Sequence, residues 1–225
     1  AAQTFTALSS GDSDSCGLRA DGSALCWGDN TYGKSTPPAG HVFTALAAGV
    51  NHTCGLKADG SLLCWGYNAL DQATVPAAQA VTALTAGGYH TCGLKTDGSA
   101  LCWGDNVWGQ ATVPAGQVFT ALAAGSHHTC GLQADGSALC WGDNTYGKST
   151  PPAGQVFTAL AAGDQHTCGL KADGSALCWG NNDLGQSTVP AGQAFTALAA
   201  GGYHTCGLQA DGSVLCWGRN DSGQA

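Results

Sequence analysis

The chain has 225 residues, 44% of them hydrophobic, with 35 Gly, 12 Cys and no Met. Seven residues are Lys or Arg and fifteen are acids, all of them Asp, for a net charge of -8. This balance argues against nucleic acid and against a polybasic membrane patch, which need clustered cations, and no apolar run approaches the ~18 residues of a membrane span. The hydrophobic content argues against bulk disorder. No signal-peptide pattern opens the chain, as expected of a mature or trimmed form.

In chain order, one unit supplies all the elements. Phe157–Leu160 predicts a short strand, the Asp164-Gln165 pair a turn, and His166–Lys171 a second strand. Asp173-Gly174 predicts a hairpin turn, Ala176–Trp179 a third strand, and Asn182 with the following Val-Pro segment a loop and connection. Each segment is too short for a helical period, and Gly, Asn and Pro punctuate them. Cys recurs at 16, 54, 92, 130, 168 and 206, and again at 26, 64, 102, 140, 178 and 216. The period is thus 38 residues, with units starting near 3, 41, 79, 117, 155 and 193. Cys26–Gly40 recurs letter for letter at Cys140–Gly154, which points to duplication of a three-unit block. Units of this size with three or four short strands are propeller blades. The predicted fold is all-β: one six-bladed β-propeller over residues 1–225, with about four antiparallel strands per blade. Ala1-Ala2-Gln3 continues the pattern that Ala225 leaves, so the expectation is a ring that closes on itself.

The Cys of each unit flank a turn such as Ala20-Asp21-Gly22. A three-residue loop with Gly in the left-handed position places Cys16 opposite Cys26. The expected pairs are Cys16–Cys26, Cys54–Cys64, Cys92–Cys102, Cys130–Cys140, Cys168–Cys178 and Cys206–Cys216, implying an oxidising compartment. A two-residue loop would oppose Cys16 to Trp27 instead. Metal binding is the other alternative, but no Cys-x-x-Cys occurs.

The motif His-Thr-Cys-Gly-Leu-Lys-x-Asp-Gly-Ser-x-Leu-Cys-Trp-Gly-x-Asn-x-x-Gly-Gln, seen at His166–Gln186, resembles the bacterial form of the regulator-of-chromosome-condensation repeat. The resemblance implies a propeller, typically of seven blades, where this chain has six units. The segment Trp-Gly-x-Asn-x-x-Gly-Gln-x-Thr-Val-Pro is also similar to a secreted propeller-type β-lactamase inhibitor, which implies a protein-binding platform.

Six copies in one chain allow self-comparison. Phe5, Phe43, Phe119, Phe157 and Phe195, with Val81, repeat with the Trp series 27, 65, 103, 141, 179 and 217, and predict packing between blades. Asn30, Asn68, Asn106, Asn144, Asn182 and Asn220 predict loops fixed by side-chain bonds. Variation concentrates in the pair before the His slot and around the Asn after Trp-Gly. Strand direction puts both variable loops on one face. All five Tyr and Trp108 lie in these slots, a composition suited to recognition. The candidate partner-binding residues are Tyr32, Tyr67, Leu70, Tyr89, Trp108, His127, Tyr146, Leu184, Tyr203 and Arg219.

His52, His90, His128, His166 and His204 share one slot, with Asp14 in the sixth. They read as strand-start His bonding a neighbouring blade, with a metal-holding ring as the alternative. Asp12-Ser13-Asp14 lacks a calcium-loop pattern. Asn51-His52-Thr53 and Asn220-Asp221-Ser222 are glycosylation sequons. No catalytic residues, cofactor or metal are expected, since no nucleophile elbow or phosphate loop is present. The reading is a secreted, non-enzymatic module that binds a protein. A lectin with a composite site and a self-associating structural fibre unit are the alternatives.

Overall fold

The computed structural model describes residues 3–77 and 79–225. Among these, each unit folds into three strands. Blade 1 holds β1 (Ala7–Ser10), β2 (Asp14–Leu18) and β3 (Ala24–Gly28), and blade 2 holds β4 (Ala45–Ala48), β5 (His52–Leu56) and β6 (Leu62–Gly66). Blade 3 holds β7 (Ala83–Ala86), β8 (His90–Leu94) and β9 (Ala100–Gly104), and blade 4 holds β10 (Ala121–Ala124), β11 (His128–Leu132) and β12 (Ala138–Gly142). Blade 5 holds β13 (Ala159–Ala162), β14 (His166–Leu170) and β15 (Ala176–Gly180), and blade 6 holds β16 (Ala197–Ala200), β17 (His204–Leu208) and β18 (Val214–Gly218). Every sheet is an antiparallel meander in chain order. The first strands surround one axis, where Ser10, Ala48, Ala86, Ala124, Ala162 and Ala200 line a common cavity.

The expected fourth strand does not form. Its residues include Pro37-Pro38 or Val-Pro, and proline has no N–H to give a ladder. This stretch crosses to the next blade as a connection, held where the Phe43 N–H donates to the Gly22 carbonyl at 2.8 Å.

The hairpin follows the three-residue form. Arg19 N–H donates to Ser23 O at 2.9 Å, and Gly22 has φ +79°, a conformation that favours glycine. Asp21 accepts from both the backbone N–H and the hydroxyl of Ser23. The register then sets Cys16 opposite Cys26, Gly17 opposite Leu25 and Leu18 opposite Ala24. All six hairpin disulfides are formed in the expected pairs. Chain entropy assigns each ten-residue loop about 2–3 kcal/mol.

The core lies between blades. Leu18 of blade 1 packs on Phe43 and Trp65 of blade 2, with Ala24, Cys26, Leu46 and Leu63 around them. The same cluster recurs as Leu94–Phe119–Trp141, Leu132–Phe157–Trp179 and Leu170–Phe195–Trp217. Each buried aromatic is worth roughly 1.5–3 kcal/mol. The Phe needs a glycine beneath it: a Cβ on Gly55 would sit 2.3 Å from Phe43 Cδ1. Trp65 Nε1 donates to the Lys34 carbonyl at 2.8 Å, so the indole joins apolar packing to the connection ahead of it.

The ring does not close as expected. Neighbouring first strands pack from β1 to β4 and onward to β16, but β16 makes no comparable packing with β1. Trp27 is 44% exposed where the other five repeated Trp are 7–8% exposed, because no blade covers it. The Ala1-Ala2 part of the anticipated wrap-around lies outside the described residues.

Candidate functional site

Each blade ends in two loops at the rim where the second strand begins and the third ends. They are bonded to each other: Asp29 N–H donates to Ser13 O, Tyr67 to Asn51, Asp105 to Tyr89, Asp143 to His127, Asn181 to Gln165 and Arg219 to Tyr203, all at 2.8–2.9 Å. In every blade the two variable loops therefore form one surface, and the Asp-Gly turns lie at the opposite rim.

All six pre-His loops meet round a depression of about 330 Å³. Its lining includes Asp12, Val50, Tyr89, His127, Gln165 and Tyr203, one from each blade, together with Asp164 and Lys148. Tyr89 and His127 stack with centroids 5.6 Å apart, and His127 Nδ1 lies 3.9 Å from Asp105 Oδ2. The Ser126 hydroxyl donates to the Asp164 carboxylate, tying blades 4 and 5.

The outer ring carries the second set. Tyr32, Leu70, Trp108, Tyr146 and Leu184 are 42–59% exposed. Tyr32 and Tyr67 of neighbouring blades pair at 4.8 Å. Of the sequence candidates, Tyr89, His127 and Tyr203 converge on the depression. Tyr32, Tyr67, Leu70, Trp108, Tyr146 and Leu184 sit on the loops outside it. Arg219 lies at the end of blade 6, bonded through Nε to Asp221 Oδ2 at 2.7 Å.

These outer loops are rigid for reasons legible in the repeat. Asn30 Oδ1 accepts from the Ser35 N–H and its Nδ2 donates to Thr36 Oγ1. The backbone half of this clamp recurs at Asn68, Asn106, Asn144, Asn182 and Asn220.

The residue two places after each variable apolar slot is buried, and self-comparison overlooked it. In four blades it is glutamine, whose Oε1 accepts from the slot's own N–H: Leu70 to Gln72, Trp108 to Gln110, Leu184 to Gln186 and, in blade 6 where the glutamine is only partly buried, Ser222 to Gln224, at 2.8–3.0 Å. Gln110 Nε2 donates to Asp105 and Gln186 Nε2 to Asn181. In two blades it is Lys34 or Lys148, 1–2% exposed, bound to Asp29 at 3.0 Å and Asp143 at 2.6 Å. A lysine cannot accept from the slot, and there Tyr32 and Tyr146 turn left-handed, with φ 64° and 65°. The signal was present: Lys replaces Gln only where Asp precedes it by five and Tyr by two. Part of the variation after Trp-Gly is therefore internal matching of Asp or Asn to a buried Lys or Gln.

The His slot faces the blade interfaces. His52, His90, His128 and His166 each reach the Thr of the following blade through Nε2 at 2.7–2.8 Å. Burial lowers their pKa to about 4, 3, 3 and 4 respectively, so they are neutral at ordinary pH. Among the described residues no cluster of three or more His, Cys, Asp or Glu is placed to hold a metal. Asp14, in the same slot of blade 1, is buried with both carboxylate oxygens lacking hydrogen-bond partners, 3.8 Å from Lys34 Nζ. That burial raises its pKa, with Lys34 opposing the shift.

The family comparison matches this repeat. The profile described as the Regulator of chromosome condensation (RCC1) repeat covers residues 5–34, 43–72, 81–110, 119–148, 157–186 and 195–224. The chain belongs to the RCC1 repeat family. Among solved structures it is similar to the ectodomain of the Physcomitrella patens receptor kinase CR4, at 35% identity and TM-score 0.81. That match covers 94% of this chain and 61% of that one, so this chain spans less than two thirds of the moss ectodomain. The CRINKLY WD40 ectodomain of the Arabidopsis thaliana receptor kinase ACR4 is 32% identical, with TM-score 0.80 and 97% of this chain and 82% of that one covered. Saccharomyces cerevisiae Prp20p, at 19% identity, TM-score 0.81 and coverage of 94% and 71%, shares the fold. No curated protein matches the chain. These findings support the RCC1 repeat and give no support to a specifically bacterial form or to the β-lactamase-inhibitor likeness.

Proposed function

We propose that this RCC1-repeat chain is a non-enzymatic binding module of an extracellular compartment that recognises a protein partner through its variable-loop face. The observation that carries this is the six-fold bonding of one variable loop to the other, which gathers the exposed aromatic residues on one surface. Exposed Tyr and Trp provide large contact area at low entropic cost. Six disulfides favour an oxidising setting, and the receptor-kinase ectodomains, at 32–35% identity, support the same compartment.

Charge sorts with the loops. Nine of the fifteen Asp and three of the seven basic residues lie at the variable end, so that end carries -6 of the net -8. Complementarity favours a basic protein surface as partner. The test is quantitative capture from the native source by the chain and by a Tyr32→Ser/Trp108→Ala/Tyr146→Ser variant. Loss of one discrete protein with folding unchanged supports the reading. Retention of that protein by the variant, or specific hits on a glycan array in its place, contradicts it.

A further inference from the structure

The mouth of the central axis differs from blade to blade, and glycine decides where it opens. Tyr89 and Tyr203 are the two Tyr of the pre-His pairs, and each follows a glycine, Gly88 or Gly202. The other blades put Asp12, Val50, Ser126 or Asp164 in that glycine's place. A Cβ on Gly88 would lie 3.1 Å from Ser126 Oγ, and one on Gly202 would lie 3.4 Å from Asp164 Oδ2. The two glycines thus leave room beside a hydroxyl and a carboxylate that are bonded to each other, Ser126 donating to Asp164 Oδ1. The Asp164 N–H is held as well, donating to the Gly202 carbonyl at 3.3 Å. Among the described residues no group bonds to Asp164 Oδ2. The carboxylate is therefore fixed at one oxygen and free at the other, on the side that Gly202 keeps open.

The depression at this mouth, about 330 Å³, is at the small end of ligand pockets. Its aromatic wall is Tyr89, His127 and Tyr203, and stacking of Tyr89 on His127 orients both rings. Its free charge is negative. Asp12 and Asp164 line it, while the Lys148 ammonium, also in the lining, is committed to Asp143 Oδ2 at 2.6 Å. We propose that the depression receives one arginine side chain of the protein partner, its guanidinium stacked on the aromatic wall and paired with Asp164 Oδ2. This deepens the protein-binding reading above and rests on it. Arginine fits both features, because its planar cation stacks on aromatic faces and donates to carboxylates in a fixed fork. Lysine, a hydrated point charge, would use the carboxylate without the stacking. An apolar or anionic side chain would leave the carboxylates desolvated and unpaired.

The probe is acetyl-Gly-Arg-Gly-amide, titrated into the full chain beside its neutral citrulline counterpart and followed by amide chemical shifts. The arginine peptide should give saturable shifts at Tyr89, Ser126, Asp164 and Tyr203 that weaken with salt, and the citrulline peptide should bind at least about tenfold more weakly. Asp164→Asn keeps the shape and removes the charge. Gly202→Ser keeps the charge and sets a hydroxyl against Oδ2. Each should weaken the arginine peptide and the captured partner about tenfold, with the chain's Tm unchanged. The proposal is overturned if the arginine peptide moves none of these resonances, if the citrulline peptide binds as well, or if both variants hold the captured partner as the parent does. That last result leaves protein recognition through the outer loops standing. Failure of the wider reading shows differently, as glycan hits or as capture that ignores the outer-loop substitutions.

Discussion

His52 donates from Nε2 to Thr91 Oγ1 in the next blade at 2.8 Å, and Thr91 gives its own hydrogen to the Gln72 carbonyl at 2.9 Å. Because the Thr hydrogen is committed, the His proton must sit on Nε2. This two-bond relay recurs across four consecutive interfaces, and in each it joins a strand, the next blade and the connection between them. It explains why His and Thr repeat together while their surface neighbours drift.

Removing the Thr hydroxyl should therefore cost more than one bond. Thr129→Val leaves the buried His90 donor without a partner and the Gln110 carbonyl with only its bond from Trp141 Nε1. We expect a loss of about 1–3 kcal/mol in denaturant titration, with Thr129→Ser close to the parent protein.

Blade 1 lacks the relay because Asp14 occupies the His slot. Asp14→His restores a donor opposite Thr53, which already gives its hydrogen to the Lys34 carbonyl, and it removes a buried carboxylate. Lys34 keeps Asp29 as its partner. The expected gain is about 1 kcal/mol, measured as an increased denaturation midpoint.

The buried His set the acid limit. Their folded pKa values lie below the unfolded value near 6.5, so below that pH the unfolded chain binds more protons. Stability from this source is complete above about pH 6.5 and falls progressively towards pH 3–4. The acid penalty is roughly 3–5 kcal/mol for each of the four. Asp14 opposes the trend, because its raised pKa makes the protonated form the favourable one when folded. Denaturation midpoints between pH 4 and pH 8 check this, and His90→Gln should flatten the slope.

The Gln72 side chain shows where one loop is mismatched. Its Nε2 is buried without an acceptor, because Tyr67 stands where Asp105 and Asn181 serve the equivalent glutamines. Tyr67→Asn should stabilise the chain by about 1 kcal/mol in a thermal melt. It should also disrupt the Tyr32–Tyr67 pair, so a partner that uses that pair would bind more weakly.

Much of the fold was legible because the repeat supplied six readings of one unit. The Cys register, the Asp-Gly loop, the Asn clamp and the interblade Phe and Trp all follow from local spacing. The fourth strand was misread because periodicity does not show that Pro37-Pro38 lacks ladder donors. Closure was misread because the near-integer number of units says nothing of the angle between blades, which side-chain packing sets. The common face of the variable loops followed from strand direction alone. The inward turn of Asp105, Asp143 and Asn181 did not, since it depends on what lies buried five residues later.

The most direct measurement is amide exchange and cross-linking on the complex with the captured partner. Protection confined to the loops carrying Tyr32, Tyr89, Trp108 and Tyr146, with the Asp-Gly turns at Asp59, Asp97 and Asp135 unchanged, is the predicted result. Protection of those turns, with the aromatic loops still exchanging freely, would contradict recognition through the variable face.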